Sequence, residues 1–330
     1  MSGRSPSGSV RSSFCFGWQR GGSEVVGGLV DLLVGVGCRY VRGAPGSLGK
    51  AGLAARVLDP RLRERPRRRV VETRSGDRFA VDTQDLIQRY LYLFGVWEPH
   101  LTRWLERRLK PGDGFVDLGA NIGVYAVLGA RLVGPSGRVV AVEASPDFHR
   151  GLLRNAALNG RGNIRAVNAA VSDRRERLTF VLASSRNMGA NSIVPYEGPA
   201  ESTFETEART AADLLRPEEV ASARVIMVDV EGAEGAVVRG MEPLLDRLRP
   251  DAEIVVEVTP ERMERLGDSA GELMEIMRRH GFHAYRLPND YAPASYPRAL
   301  RHPAVPARVR DTVEGETELV FSRIDAETLA

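Results

Sequence analysis

Apolar residues in this chain follow two rhythms, and from residue 111 onward the two alternate. Short unbroken apolar runs at 115–118, 138–142, 164–167, 224–230 and 253–258 read as strands buried on both faces. Between them, 124–133, 146–158, 210–215, 234–248 and 268–280 carry the three-and-four spacing of helices, the last ended by Gly281. Such alternation predicts a parallel, doubly wound α/β sheet. An extra strand is expected at 177–182, with a polar loop at 183–192 after it. Strands at 282–287 and 318–324 close the pattern, separated by a proline-rich stretch from Pro288 to Pro306. Loops of that length often cover a site.

Upstream of the core the rhythm loosens. Residues 70–72 and 78–81 flank Ser75-Gly-Asp77 and predict a β-hairpin, followed by helices over 85–93 and 99–109. Residues 25–58 read as helical pieces interrupted by Gly43-Ala-Pro-Gly46, and Pro60 and Pro66 bracket an arginine-rich linker. Residues 1–24, rich in Ser, Gly and Arg, read as disordered. The chain therefore divides into an extension (1–69), a lead-in (70–110), a core (111–287), a covering loop (288–316), a last strand (317–324) and a tail.

The turn after the first core strand carries the most informative chemistry. Phe115-Val-Asp-Leu-Gly-Ala-Asn-Ile-Gly123 ends a strand in Asp117, turns through Gly119, Ala120, Asn121 and Gly123, and enters a helix. Glycines there let a backbone approach a ligand, and the helix offers unpaired N–H groups. The next strand ends in Glu143, an acid suited to a ribose diol. A dinucleotide site would show G-x-G-x-x-G, and an acid beside its pyrophosphate would be repelled. S-adenosylmethionine, with an ammonium and a sulfonium, would be attracted.

Composition adds a compartment and an asymmetry. The 330 residues are 43% apolar and 27% charged, as in a soluble globular protein. Cys15 and Cys38 form no metal-binding or disulfide pattern, so a reducing cytoplasm is the expected location. Residues 1–80 hold 15 Lys/Arg against 6 Asp/Glu, whereas the remaining 250 hold 31 against 37. No aromatics interleave with Arg67-Arg-Arg69, so no nucleic-acid partner is expected. Residues 25–38 are too short and too interrupted to span a membrane, and fit an amphipathic helix that packs on the domain or touches a membrane surface.

In this order the motifs make residues 70–324 resemble the FkbM family of S-adenosylmethionine-dependent methyltransferases. The resemblance rests on the turn above, Val142-Glu-Ala-Ser-Pro146, Asn155, Asn159, Asn168-Ala-Ala-Val-Ser-Asp173, Thr210-Ala-Ala-Asp-Leu214 and, most specifically, Val228-Asp-Val-Glu-Gly-Ala-Glu234. Trp97-Glu-Pro99 departs mildly, since the family more often shows tyrosine first. The resemblance implies a Rossmann-like seven-stranded sheet with a reversed final hairpin. It also implies O-methylation of a hydroxyl on a sugar, glycolipid or polyhydroxylated natural product. An amine acceptor, or a silent cofactor-binding partner protein, are the competing readings.

Roles follow from position. Asp117 is expected to act on the cofactor's amino group or to fix the turn, and Asn121 to bond the methionine portion or cap the helix. Glu143 would take the ribose hydroxyls, with Ala170 and Ser172 beside the adenine edge. Asp229 ends the fourth core strand and leads as catalytic base, with Glu231 and Glu257 as alternatives. Glu231 and Glu234 have a competing role in capping the helix that begins near Ala233. Asp229, Glu231 and Glu257 would also suit Mg²⁺, but no histidine accompanies them, and metal dependence is the lesser reading. Asn187, Asn191, Ser192 and His302 lie on loops that can reach the active face.

Overall fold

Runs apolar at every position belong in a sheet covered on both faces. They occupy that place in the computed structural model, which describes residues 26–182, 191–192 and 202–329. The extension forms α1 (Val26–Gly43), α2 (Lys50–Leu53), a π turn (Ala54–Leu58) and α3 (Asp59–Glu64). The lead-in is the antiparallel hairpin β1 (Arg68–Glu72) and β2 (Arg78–Asp82) with α4 (Leu86–Phe94) and α5 (Pro99–Arg108). The core begins β3 (Gly114–Leu118), α6 (Val124–Val133), β4 (Arg138–Glu143), α7 (Pro146–Leu158), β5 (Ile164–Asn168).

A small side sheet interrupts it, made of β6 (Ala170–Val171), β7 (Glu176–Leu182), β8 (Asn191–Ser192) and β9 (Ser202–Arg209). The core resumes with α8 (Ala211–Leu214), α9 (Pro217–Ser222), β10 (Ala223–Val228), α10 (Glu234–Leu245), β11 (Glu253–Val258), α11 (Pro260–Arg265) and α12 (Ala270–Arg279). It ends with β12 (His283–Leu287), α13 (Tyr296–Ala299), β13 (Ala307–Arg308) and β14 (Thr317–Ser322).

The main sheet has the order β13-β12-β14-β11-β10-β3-β4-β5. From β11 to β5 all pairs are parallel, and β14 runs antiparallel between β11 and β12. The fold is thus the expected Rossmann-like α/β sheet with a reversed final hairpin, widened from seven strands to eight by the two-residue β13. Sequential strands step outward from β3 to β5 and resume on its other side at β10. Ligands bind outside the carboxyl ends of the strands at such a switch point. One apolar core under α4–α7 includes Phe115, Tyr125 and Leu152, and the other, under α8–α12, includes Ile226, Val237 and Leu273.

Three expectations need correction. The bracketed linker is in part helix α3: Pro60 stands in its first turn, where no N–H is required, and fully buried Leu62 anchors it. Strand β9 was not anticipated because it is mostly polar, and it is held by pairing with β7 over Ser202–Ala208. The proline-rich stretch carries α13, with fully buried Tyr296 stacked on Phe94 at 4.6 Å. The expectations for residues 1–24, for Cys15 and for Asn187 fall outside the described residues. No helix among the described residues is long and apolar enough to cross a membrane.

Gly240 shows how tightly α10 seats against the turn after β6. A Cβ there would stand 2.2 Å from the carbonyl oxygen of Ser172. Helix propensity alone would favour alanine by about 1 kcal/mol. The clash is with backbone, so Gly240→Ala is expected to destabilise by roughly 2 kcal/mol or more in urea denaturation. A stabilised variant would show that the helix can move away.

Candidate active site

The carboxyl edge of β3, β4 and β10 opens into a cleft whose lining includes Asn121, Glu143, Phe148, Ala170, Phe180 and Asp229. Its floor is the turn after β3. Gly119 has φ 98°, and a Cβ on it would stand 1.7 Å from the carbonyl oxygen of Asp229. The glycine is therefore required by the chain's own β10, in addition to any ligand. Gly123 (φ 84°) likewise abuts Leu152 of α7, where a Cβ would come within 3.0 Å. Ala120 lies beneath the cleft, its N–H bonded to the Val142 carbonyl at 2.9 Å.

Glu143 is the hinge of this floor. Its Oε2 accepts from the Asn121 N–H and its Oε1 from the Ser145 N–H, both at 2.7 Å. One carboxylate thus ties the two ligand-facing turns together and still presents lone pairs to the cleft. Burial pushes its pKa up to about 7, against the pull of those backbone donors. Asn121 has φ 49°, and its Oδ1 accepts from the Ile122 N–H at 2.7 Å. It does not cap α6, whose N-cap is Gly123.

Asp117 sits below the cleft, 1% exposed, and accepts from the backbone of Ala126 in the first turn of α6. Its Oδ2 is buried with no hydrogen-bond partner. Burial, then the nearby charge of Glu143, raises it to about 7. Ala170 lines the cleft as expected. Ser172 does not: its N–H goes to the Arg209 carbonyl and its hydroxyl lies 3.4 Å from Glu176. The side sheet supplies a wall the sequence did not reveal, in which Phe180 and Phe204 stack at 5.0 Å with an interplanar angle of 2°. With Ala144 and Phe148 also in the lining, the cleft offers a carboxylate at one place and an apolar, aromatic surface at another.

The catalytic candidates converge. β10 and β11 pair with Val228 beside Val256, so Asp229 and Glu257 come together and hydrogen-bond. Burial raises both, Glu257 further through the charge of Asp229. Glu231, at φ 59°, turns back toward them and ion-pairs with Arg262. One oxygen from each of the three lies within 4.8 Å of the others. That spacing suits a divalent cation held by oxygen ligands. Glu234 departs from the group: it is fully buried, and its Oε1 accepts from the Gly232 N–H at 2.7 Å, fixing the turn into α10. The helix-entry role thus falls to Glu234.

Two acids missed in the sequence complete the patch. Glu98, in a left-handed backbone (φ 40°), accepts from Tyr125 and Asn289, and Glu318 lies directly across from Glu257 on β14. The covering loop reaches in here. Tyr291 stacks on Trp97 at 5.2 Å, and its hydroxyl lies 2.7 Å from both Glu98 Oε1 and Glu257 Oε1. Asn289 Nδ2 also donates to Glu318 Oε1 at 3.0 Å. Glu98 stood in Trp97-Glu-Pro99, and Glu318 is an acid set at the head of an apolar strand. His302 is exposed and takes no part in these contacts.

A parallel sheet with this strand order, a glycine turn after its first strand and an acid ending the second defines an S-adenosylmethionine-dependent methyltransferase. The chain belongs to the FkbM family: residues 117–284, just over half of its length, match the family described as Methyltransferase FkbM domain. No curated protein matches it. Among solved structures, a putative rRNA methylase from Clostridium thermocellum is 12% identical, with 68% of this chain and 94% of that one covered at a TM-score of 0.41. A SAM-dependent O-methyltransferase from Thermotoga maritima is 13% identical over 78% of both chains (TM-score 0.37). Fibrillarin from Aeropyrum pernix, with natively bound S-adenosyl-L-methionine, is 13% identical over 77% and 82% (TM-score 0.37). The family match, and not these loose overlaps, carries the assignment.

The raised acids have a measurable consequence. Asp117, Glu143 and Glu234 each rise to about 7 in the folded chain from the ordinary carboxyl range near 4. Between those values the folded state holds more protons than the unfolded one, so stability falls as pH rises. Urea denaturation is expected to show stability flat below pH ~4 and declining toward pH ~7 from these groups, with a shallower decline in Asp117→Asn. An unchanged slope in that variant would show that Asp117 is not held protonated.

Proposed function

We propose that this methyltransferase acts on a hydroxyl group of a sugar, glycolipid or other polyhydroxylated acceptor, with Asp229 as general base. The observation that supports this reading most is the Asp229–Glu257 pair beside the cleft. A hydroxyl becomes a good nucleophile only as its proton leaves, and a base within hydrogen-bond reach must take it. A carboxylate whose pKa is raised by burial is a stronger proton acceptor than one in water.

The residues present fit S-adenosylmethionine. Glu143 would hold the ribose hydroxyls, and Ala170, Phe148 and the Phe180–Phe204 wall would enclose the adenine. Asn121 supports the turn under the methionine portion, and Asp117 holds that turn from below the cleft through the backbone of Ala126. When bound, the cofactor supplies a methyl group made electrophilic by its sulfonium. Asp229 accepts the acceptor's proton, Glu257 shares it, and Tyr291 holds Glu257 in place. Orientation of the acceptor against the edge does much of the remaining work.

A second reading, in which a divalent cation at Asp229, Glu231 and Glu257 lowers the hydroxyl's pKa, is favoured by their mutual spacing within 4.8 Å. Chelation separates the two. Under the base reading, turnover survives EDTA. Loss of turnover on chelation, restored by added Mg²⁺, would favour the cation. Asp229→Asn is expected to lower turnover by roughly 10²- to 10⁴-fold while leaving S-adenosylmethionine affinity within about threefold. A variant that loses cofactor binding and turnover together would place Asp229 in the cradle, not at the base position.

A further inference from the structure

Exposed large apolar side chains are not spread evenly over this molecule. Of the ten among the described residues, six lie in the extension: Leu32, Leu33, Val36, Tyr40, Leu48 and Val57. The first four belong to α1, which is apolar on two opposite faces. Val34, Cys38 and Val41 point inward and are 3–5% exposed. Leu32, Val36 and Tyr40, spaced four apart, form a stripe with Leu33 on the outward face, at 63%, 54%, 37% and 60% exposure. Packing on the domain accounts for the first face alone. A surface stripe of this kind marks a contact with something else.

The charges of the extension select the partner. Arg39, Arg56, Arg61, Arg63, Arg65 and Arg69 are exposed and have no ion-pair partner among the described residues. Glu64 is exposed in the same stretch, while Asp59 is committed to Arg89 at 2.7 Å. Arg39 stands beside Tyr40 at the edge of the stripe, and Arg56 beside Val57. Nucleic acid would reward the arginines and leave the leucines in water. An extension that carries both exposed apolar side chains and unpaired cations fits a surface that is apolar within and anionic at its boundary.

We propose that the extension, residues 32–69, docks this protein onto an anionic membrane surface. The apolar stripe of α1 enters the headgroup boundary and the arginines meet the lipid phosphates. The docking face is set one helix from the cleft: Arg42 of α1 reaches the Tyr92 carbonyl of α4 at 3.3 Å, and Ile87 on α4 lines the cleft. Docking would therefore bring the cleft near membrane-borne acceptors. The docking itself does not rest on the proposed acceptor class.

Flotation of the full chain with vesicles tests this. Vesicles of phosphatidylcholine with about 30% phosphatidylserine are compared with phosphatidylcholine alone, and S-adenosylmethionine binding is followed in parallel. The expected result is binding to the anionic vesicles at least tenfold above the neutral ones, weakened by salt. Leu32→Ser/Leu33→Ser/Val36→Ser should cut it at least fivefold, and Arg61→Glu/Arg63→Glu/Arg65→Glu more than tenfold. All six side chains are exposed, so both variants should fold and keep their cofactor affinity. Absence of vesicle binding by the wild type overturns the proposal, whether the stripe is covered by residues 1–25 or by a second copy. Binding that ignores the leucine substitutions but vanishes with the arginines overturns it too, and leaves simple anion attraction. Failure here with intact cofactor binding leaves the methyltransferase reading standing.

Discussion

Tyr291 has one hydroxyl proton and stands 2.7 Å from two carboxylates, Glu98 and Glu257. It can donate to only one of them, so the other contact requires a proton on the carboxyl. The same constraint recurs where Asp229 meets Glu257. Arg262 pairs with Glu231, and no described lysine or arginine pairs with Asp229, Glu257 or Glu318, where burial favours the neutral carboxyl. Much of the local structure serves to hold this arrangement. Trp97 stacks on Tyr291, Tyr125 and Asn289 fix Glu98, and the antiparallel β11–β14 pair puts Glu318 across from Glu257.

That constraint also explains how the two halves of the site differ. On the β4 side, Glu143 receives two backbone N–H groups and is organised by its own turn and its neighbour. Its geometry needs only the local chain. On the β10 side the acids are organised by one another and by residues from a distant loop. The first half is a preformed cradle, and the second a proton-sharing patch that can receive a hydroxyl or a cation. Under the proposed function the first would hold the donor and the second would activate the acceptor.

Local chemistry was legible in the sequence, and assembly at a distance was not. The alternation of β3, α6, β4, α7 and β5 follows from the change of apolar period, and Asp229 and Glu257 were identifiable as acids ending adjacent strands. Glu98 and Glu318 were not, because 220 residues separate them and neither lies in a motif with a role of its own. Strand β9 was hidden because its alternating Thr and Glu satisfy one face of a hairpin with little apolar signal. Ser172 was placed at the adenine edge with Ala170 because both follow the third core strand, but the β6–β9 pairing draws it to Arg209. Gly119 was singled out for the close approach of a ligand, and the group the structure brings against it is the chain's own Asp229 backbone.

The most direct test is calorimetric titration of S-adenosylmethionine into the wild type and Glu143→Gln, with NAD as the control ligand. Glu143 should contribute through charge-assisted hydrogen bonds, so the substitution is expected to weaken binding by about ten- to a hundredfold, with NAD giving no response. Equal affinity in the two proteins, with the variant folded, would contradict the placement of the cofactor at the end of β4.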